Sequence, residues 1–185
     1  MSKLILSCDG GGIRGAATAQ FLTHIEDKLK ADHNCSLRDC VDFYAGTSTG
    51  SLIAIALATT HLSVSAISNL YSHDNAEKIF ARNRGWFEVD GVNAPKYEAS
   101  GKTQLLQANM GSARIGNVPN DKHVLAVSYG IEKRKPEVIK STNPTHRNLY
   151  SYDVADASSA APTYFPTKEM SIGSQSEESW LVDGG

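Results

Sequence analysis

Residues 4–15, with the sequence LILSCDGGGIRG, decide the fold. The residues up to Cys8 form a short, largely apolar run that is typical of a buried strand, and Asp9 with three glycines ends it. From Gly15 onward the apolar residues return at helical spacing instead. The segment therefore predicts a strand, a glycine loop and a helix in direct succession. The apolar residues of this predicted helix are Ala17, Phe21, Leu22, Ile25 and Leu29.

A second unit of the same kind follows along the chain. Residues 41–45 are typical of a strand, GTSTG at 46–50 is typical of a turn, and an apolar helix is predicted from Ser51 to about Thr60. Because strands and helices continue to alternate, we expect an α/β fold: a three-layer α/β/α sandwich with a mostly parallel central sheet. Further strands are predicted at 123–131, 137–141 and 179–182, and further helices at 63–72, 104–110 and 153–161.

Residues 82–102 differ in character from the rest, since glycines, Asn93 and Pro95 interrupt every pattern. We predict a long surface loop, a kind of segment that is often functional in compact domains. Its aromatic residues Trp86 and Phe87 allow two interpretations, a lid that dips into a membrane or a loop packed back onto the core.

The overall composition is that of a soluble globular protein. Of the 185 residues, 41% are hydrophobic and 21% charged, and the net charge is −2. This length suits a single domain, and the lack of a basic surplus argues against a nucleic-acid partner. Three cysteines fit a reducing compartment or plain packing in the core. Because the sequence has neither a signal-peptide core nor an apolar run of about 20 residues, we expect a cytoplasmic protein that contacts membranes only peripherally.

The glycine loop predicts a site for an anion. Consecutive glycines allow a tight turn that exposes backbone N–H groups, and the N-terminus of the following helix adds partial positive charge. The spacing Gly10-x-Gly12-x-x-Gly15 also fits a dinucleotide fingerprint. That interpretation requires an acid at the end of the second strand, whereas Asp39 and Asp42 lie at its start. A tight turn without any ligand is the plain alternative.

Two further motifs lie at predicted strand ends. Gly46-x-Ser48-x-Gly50 stands between a strand and a helix, which is the context of a nucleophile elbow that exposes a serine hydroxyl. A Ser/Thr-rich helix cap is the alternative for this motif. The second motif, DGG at 183–185, follows the last predicted strand, where α/β sheets place ligands. An ordinary Asp-Gly turn would give the same sequence.

The three motifs together match the needs of serine catalysis. A serine hydroxyl requires a base, and the tetrahedral oxyanion requires fixed donors, each worth about 3 kcal/mol. Ser48 can supply the nucleophile and Asp183 the base. The N–H groups of Gly10, Gly11 and Gly12 can supply the oxyanion hole. The three motifs therefore predict a serine nucleophile with a carboxylate base and an oxyanion hole.

In this order and context, DGGGIRG at 9–15, GTSTG at 46–50 and DGG at 183–185 resemble the patatin-like phospholipase family. Residues 157–166 (ASSAAPTYFP) are similar to the segment that precedes the catalytic aspartate of that family. The resemblance implies a patatin/lysophospholipase-like fold and an acyl hydrolase with a Ser–Asp dyad and no catalytic histidine. It further implies a membrane phospholipid or another acyl lipid as substrate, peripheral membrane contact, and no need of a cofactor or a metal.

Carried over by position, the resemblance assigns a role to each matching residue. Ser48 and Asp183 are the catalytic pair, and the oxyanion hole lies in the glycine loop. Arg14 is the basic residue of that loop, on the phosphate side of the substrate. The oxyanion donors are Gly10, Gly11 and Gly12, and the elbow glycines are Gly46 and Gly50.

Three alternatives to this hypothesis differ in what they leave unexplained. Domains of the family continue past the aspartate, so we expect residues 1–185 to be one catalytic domain that is shortened at its C-terminal end. The first alternative is therefore a fragment that binds lipid but has weak or no activity. A Ser-His-Asp hydrolase needs a histidine after the acid, but the last histidine is His146. A nucleotide-binding α/β module would use the glycine loop and leave GTSTG and DGG without a role.

Overall fold

The computed structural model describes residues 2–79, 97, 99–173 and 178–185, and the elements below lie within them. The predicted α/β class is confirmed, with helices and strands alternating along most of the chain. The strands are β1 (Ile5–Cys8), β2 (Phe43–Thr47), β3 (His123–Gly130), β4 (Lys135–Lys140), β5 (Lys168–Ser171) and β6 (Glu178–Asp183). The helices are α1 (Gly15–His33), α2 (Leu37–Cys40), α3 (Thr49–Thr59), α4 (Val64–Asn69), α5 (His73–Ile79), α6 (Ala99–Met110) and α7 (Ser151–Ser158).

The six strands form one mixed sheet in the order β1-β2-β3-β6-β5, with β4 on the other edge of β3. Parallel pairing joins β1, β2 and β3, the half of the sheet that carries the glycine loop and the elbow. The pairings of β4 and β6 with β3, and of β5 with β6, are antiparallel. The expected mostly parallel sheet is therefore parallel in its first half and antiparallel in its second.

Strands β2 and β6 meet end to end along the same edge of β3. Thr47, the last residue of β2, pairs with Val127 of β3. Asp183, the last residue of β6, pairs with the next residue, Ser128, and β6 runs in the opposite direction. The carboxyl ends of the two strands therefore face each other, although the strands are far apart in sequence.

Helix α3 forms the centre of the hydrophobic core. Every residue from Gly50 to Thr59 is buried, as expected of a helix that is apolar on all sides. It packs on β1, β2 and β3 and against α7. Its first turn approaches the sheet closely, because a side chain at Gly46 would lie 2.5 Å from the carbonyl carbon of Gly50. Gly46 is therefore needed to bring the start of α3 against β2.

The other face of the sheet is less covered by the described residues. Ile5 of β1 is 61% exposed, and Trp180 of β6 is also exposed. The expectation that residues 4–8 form a fully buried strand is therefore wrong on one face. In the described part of the chain β1 lies at an edge, with β2 as its pairing partner.

Three other predictions have mixed outcomes. The predicted helix at 63–72 ends at Asn69, and the helix predicted from residue 104 begins earlier, at Ala99. Most of the predicted surface loop at 82–102, with Trp86 and Phe87, lies outside the described residues. Within the described ranges, none of the helices combines the length and the apolar character needed to cross a bilayer.

Candidate active site

Ser48 occupies a sharp turn between β2 and α3. Its backbone has φ 52° and ψ −130°, a left-handed conformation that is strained for a residue with a side chain. The turn depends on Gly50, because a Cβ at that position would collide with the carbonyl oxygen of Cys8 in β1. This is the geometry of a nucleophile elbow, which the GTSTG motif predicts.

Asp183 is the direct hydrogen-bond partner of Ser48. The hydroxyl Oγ of Ser48 donates to Oδ2 of Asp183 across 2.6 Å. The contact follows from the end-to-end arrangement of β2 and β6 on β3. Gly184 allows the chain to pass directly over β3, since a Cβ there would collide with the carbonyl oxygen of Val127. The DGG motif thus brings the carboxylate to the serine, as expected.

The C-terminal end of α7 holds both halves of this pair. The hydroxyl of Ser158 accepts a hydrogen bond from the Ser48 amide (3.1 Å) and donates one to the carbonyl of Val127 (2.5 Å). The amide of Asp183 donates to the carbonyl of Ala160 at 3.0 Å. The sequence predicts no role for Ser158, since a serine among alanines carries no local signal.

The glycine loop lies directly beside Ser48. A Cβ at Gly10 would be 2.8 Å from Cβ of Ser48, so the loop and the elbow are in contact. Gly11 and Gly12 have φ 150° and 59°, values that favour glycine. In the described part of the chain, the N–H groups of Gly10, Gly11 and Gly12 donate to no other residue. They are therefore available to an anionic or partly negative oxygen.

Arg14 follows these glycines and is exposed at the mouth of the site. Its Nε donates to the carbonyl of Gly11 at 3.4 Å, so the side chain folds back onto the loop. This contact gives Arg14 a part in shaping the loop, in addition to the charge that it places beside the cavity.

One cavity of about 640 Å³ contains all of these groups. Ser48, Asp183, Arg14 and the three loop glycines line it together, and its size is typical of a small-molecule site. Most of the remaining wall is apolar, as in a site for a hydrocarbon chain. The apolar wall includes Leu52, Leu70, Ile79, Leu105, Leu106 and Phe165.

The residues around Ser48 and Asp183 that the structure describes do not include a histidine. None of the described residues that line the cavity is a histidine. His146 is buried elsewhere, where its Nδ1 accepts from the Lys140 amide and its Nε2 lies 3.2 Å from Nδ2 of Asn143. The Ser-His-Asp alternative is therefore not supported by the geometry.

Comparisons with known proteins agree with the motif analysis. The profile described as patatin-like phospholipase matches residues 6–185. Patatin-like protein 2 of Arabidopsis thaliana is 31% identical over 200 residues, covering 98% of this chain and 48% of that protein. Patatin-08 of Solanum tuberosum is 30% identical over 194 residues, covering 97% of this chain and 48% of the relative. The chain thus spans about half the length of the curated relatives that it matches.

A solved structure shows the same fold at low sequence identity. VipD from Legionella pneumophila superposes with a TM-score of 0.66 over 99% of this chain and 46% of that protein, at 12% identity. This similarity confirms the predicted patatin-like α/β/α class. The profile match over residues 6–185 shows that the chain belongs to the patatin-like phospholipase family.

Proposed function

We propose that the chain is a lipid acyl hydrolase, of phospholipase A or lysophospholipase type, that acts through an acyl-Ser48 intermediate. The observation that carries the proposal is the 2.6 Å hydrogen bond from Ser48 Oγ to Asp183 Oδ2 inside a largely apolar cavity. A carboxylate in this position can take the serine proton without a histidine.

The proposed reaction has two halves. Asp183 accepts the proton of Ser48 as Oγ attacks the ester carbonyl carbon, and the N–H groups of Gly10, Gly11 and Gly12 stabilise the oxyanion. The tetrahedral intermediate then expels the alcohol, which takes the proton from Asp183. A water molecule, activated by the same carboxylate, attacks the acyl-serine and releases the fatty acid. The dyad returns to its starting protonation state, and no cofactor or metal takes part.

The cavity supports a lipid as the substrate. Leucine, isoleucine and phenylalanine side chains form most of its wall, which suits an acyl chain. Two apolar side chains that line the cavity, Ile13 and Tyr164, are exposed to solvent. We propose that this rim rests on the surface of a membrane, so that an ester can enter without crossing water.

Active-site labelling combined with lipid hydrolysis tests this proposal. The chain is incubated with a fluorophosphonate probe, and the labelled peptide is identified by mass spectrometry. Fatty acid release is measured in parallel on vesicles of phosphatidylcholine with and without phosphatidylglycerol. Label on Ser48 together with fatty acid release is the expected result. Binding to the vesicles with neither label nor release would favour the alternative of an inactive lipid-binding fragment.

The oxyanion loop is expected to depend on the backbone of Gly12. Alanine at φ 59° is strained by about 1 kcal/mol, so in Gly12→Ala the loop shifts and its donors move. Turnover of a p-nitrophenyl ester should fall by about 10²- to 10³-fold.

A matched control for Gly12→Ala is available at Gly111. Gly111 has φ 56°, and, as at Gly12, an added Cβ would meet no atom within 4 Å. Gly111→Ala should therefore lose similar stability in urea denaturation and keep full activity. Equal activity of the two variants would show that the glycine loop does not stabilise the oxyanion.

Arg14→Ala is expected to distinguish two roles of the guanidinium. If Arg14 meets a lipid phosphate, its loss should reduce hydrolysis of anionic phospholipid vesicles more than that of a soluble ester, since only the former offers a phosphate. We expect the larger loss on the phospholipid, measured as kcat/KM on both substrates. Equal losses would mean that Arg14 acts through its contact with Gly11 alone.

A further inference from the structure

A buried lysine lies in the wall of the cavity, and the mechanism above does not use it. The side chain of Lys102, in the first half of α6, is only 4% exposed. Its Nζ donates to the carbonyls of Asp156 and Ser159, each at 3.0 Å, and to Ser159 Oγ at 3.1 Å. It also forms an ion pair with Asp156 Oδ1 at 3.0 Å. The ring of Phe165 lies beneath the ammonium, with its centroid 4.4 Å away.

These contacts place a full positive charge at the C-terminal end of α7. The last carbonyls of a helix lack partners within the helix and carry the negative end of its dipole. The Lys102 ammonium binds two carbonyls in this region, that of Asp156 in the last turn of α7 and that of Ser159 directly after the helix. Burying a charge is costly unless it is paired and hydrogen-bonded, and here four oxygens satisfy it. The ammonium thereby joins α6 to the end of α7.

The same end of α7 holds the catalytic pair. Ser158 contacts the Ser48 amide, and Ala160 accepts from the Asp183 amide. Ser159, which Lys102 binds twice, stands between those two residues. A shift of this short segment would move both the nucleophile and the base.

We propose that Lys102 is a positioning residue for the Ser48–Asp183 pair: its buried ammonium fixes residues 158–160, which in turn set the distance and angle between the two catalytic side chains. This inference rests on the proposed hydrolysis at Ser48. Burial lowers the pKa of Lys102, while the carboxylates of Asp156 and Asp183 oppose that shift, which places the ammonium in the electrostatic field of the dyad.

Lys102→Met tests the proposal, with Lys168→Met as the matched control. Lys168 pairs with the same Asp156, at 3.3 Å, and with Asp153, at 2.8 Å. Methionine at 102 is unbranched and only one atom shorter than lysine, but it removes the charge and every donor. We expect kcat for a p-nitrophenyl ester to fall between about tenfold and about 100-fold, with KM changed much less, because misplaced catalytic groups affect the chemical step. Lys168→Met should retain its kcat.

A double-mutant cycle separates positioning from general destabilisation. If Lys102 acts through Ser158, then Lys102→Met should cost little more once Ser158→Ala is present, since the two residues belong to one chain of contacts. Additive losses in kcat would overturn the proposal, as would an unchanged kcat in Lys102→Met. If Lys102→Met does not fold at 25 °C, Lys102→Gln, which keeps a donor at this position, takes its place in the same cycle.

The rate of fluorophosphonate labelling distinguishes failure of this inference from failure of the proposed function. If the unmodified chain is not labelled at Ser48, the proposed function itself is wrong. If the unmodified chain is labelled and Lys102→Met is labelled at the same rate, hydrolysis at Ser48 stands and the role of Lys102 is overturned.

Discussion

Ser48→Ala is expected to abolish ester hydrolysis, with kcat reduced by at least about 10⁴-fold. The substitution removes the only oxygen that the mechanism uses to form the acyl intermediate. Labelling by fluorophosphonates should disappear together with the activity. The assay is release of p-nitrophenol from a short-chain ester, with fatty acid release from phosphatidylcholine vesicles as the second substrate.

Alanine at position 48 should leave the fold intact, because the amide of residue 48 still donates to Ser158. Circular dichroism and the midpoint of urea denaturation provide this control. Alanine has the same Cβ as serine, so the backbone strain at φ 52° is expected to be unchanged in the variant. Persistent labelling of a folded Ser48→Ala protein would show that another residue is the nucleophile.

Asp183→Asn should be nearly as damaging, with a loss of about 10³- to 10⁴-fold in kcat. An amide has almost the shape of the carboxylate and can still hydrogen-bond to Ser48 Oγ, but it cannot accept the serine proton near neutral pH. The variant therefore separates the role of Asp183 as a base from its role as a hydrogen-bond partner of Ser48. The measurement is kcat for the same p-nitrophenyl ester, at several pH values.

His146→Ala is the control that distinguishes a dyad from a triad. His146 is buried among residues of the β3–β4 region and does not line the cavity. The variant should keep most of its activity, although a cavity at a buried site will cost some stability. If His146→Ala instead lost most of its kcat while Asp183→Asn remained active, the protein would be a Ser-His-Asp hydrolase.

The parts of the site that local geometry dictates could be predicted from the sequence. The glycine loop and the elbow each consist of a few consecutive residues whose backbone angles only glycine tolerates, or whose close contacts only glycine permits. Gly50 illustrates this point, because its position against the carbonyl of Cys8 leaves no room for a side chain. Such requirements appear in the sequence as glycines at fixed spacing.

The antiparallel approach of β6 could not be predicted in the same way. An apolar run such as 179–182 indicates a strand but not its neighbour or its direction, since those depend on the rest of the sheet. The position of DGG after a predicted strand, and the need of Ser48 for a base, predict that Asp183 lies near the elbow, but neither argument predicts the direction of β6. The register of Asp183 beside Ser128 supplies the physical reason for that place.

Lys102 was missed for a different reason. Its neighbours Ser100, Gly101 and Thr103 are poor helix formers, so the sequence predicts that Lys102 belongs to the loop at 82–102. In the structure, Gly101 lets α6 approach α5, because a Cβ there would collide with the carbonyl of Lys78. Tertiary contacts thus extend the helix to Ala99 against its local preference. A lysine in such a stretch carries no sign that it will be buried.

The end-to-end meeting of β2 and β6 also determines when activity can arise. Ser48 and Asp183 are 135 positions apart, so the chain must close a long loop before the hydroxyl and the carboxylate meet. During synthesis the elbow and the glycine loop can form early, whereas the acid arrives only with β6. On the proposed mechanism, the growing polypeptide therefore carries Ser48 without its base, and it cannot hydrolyse a lipid until β6 docks on β3.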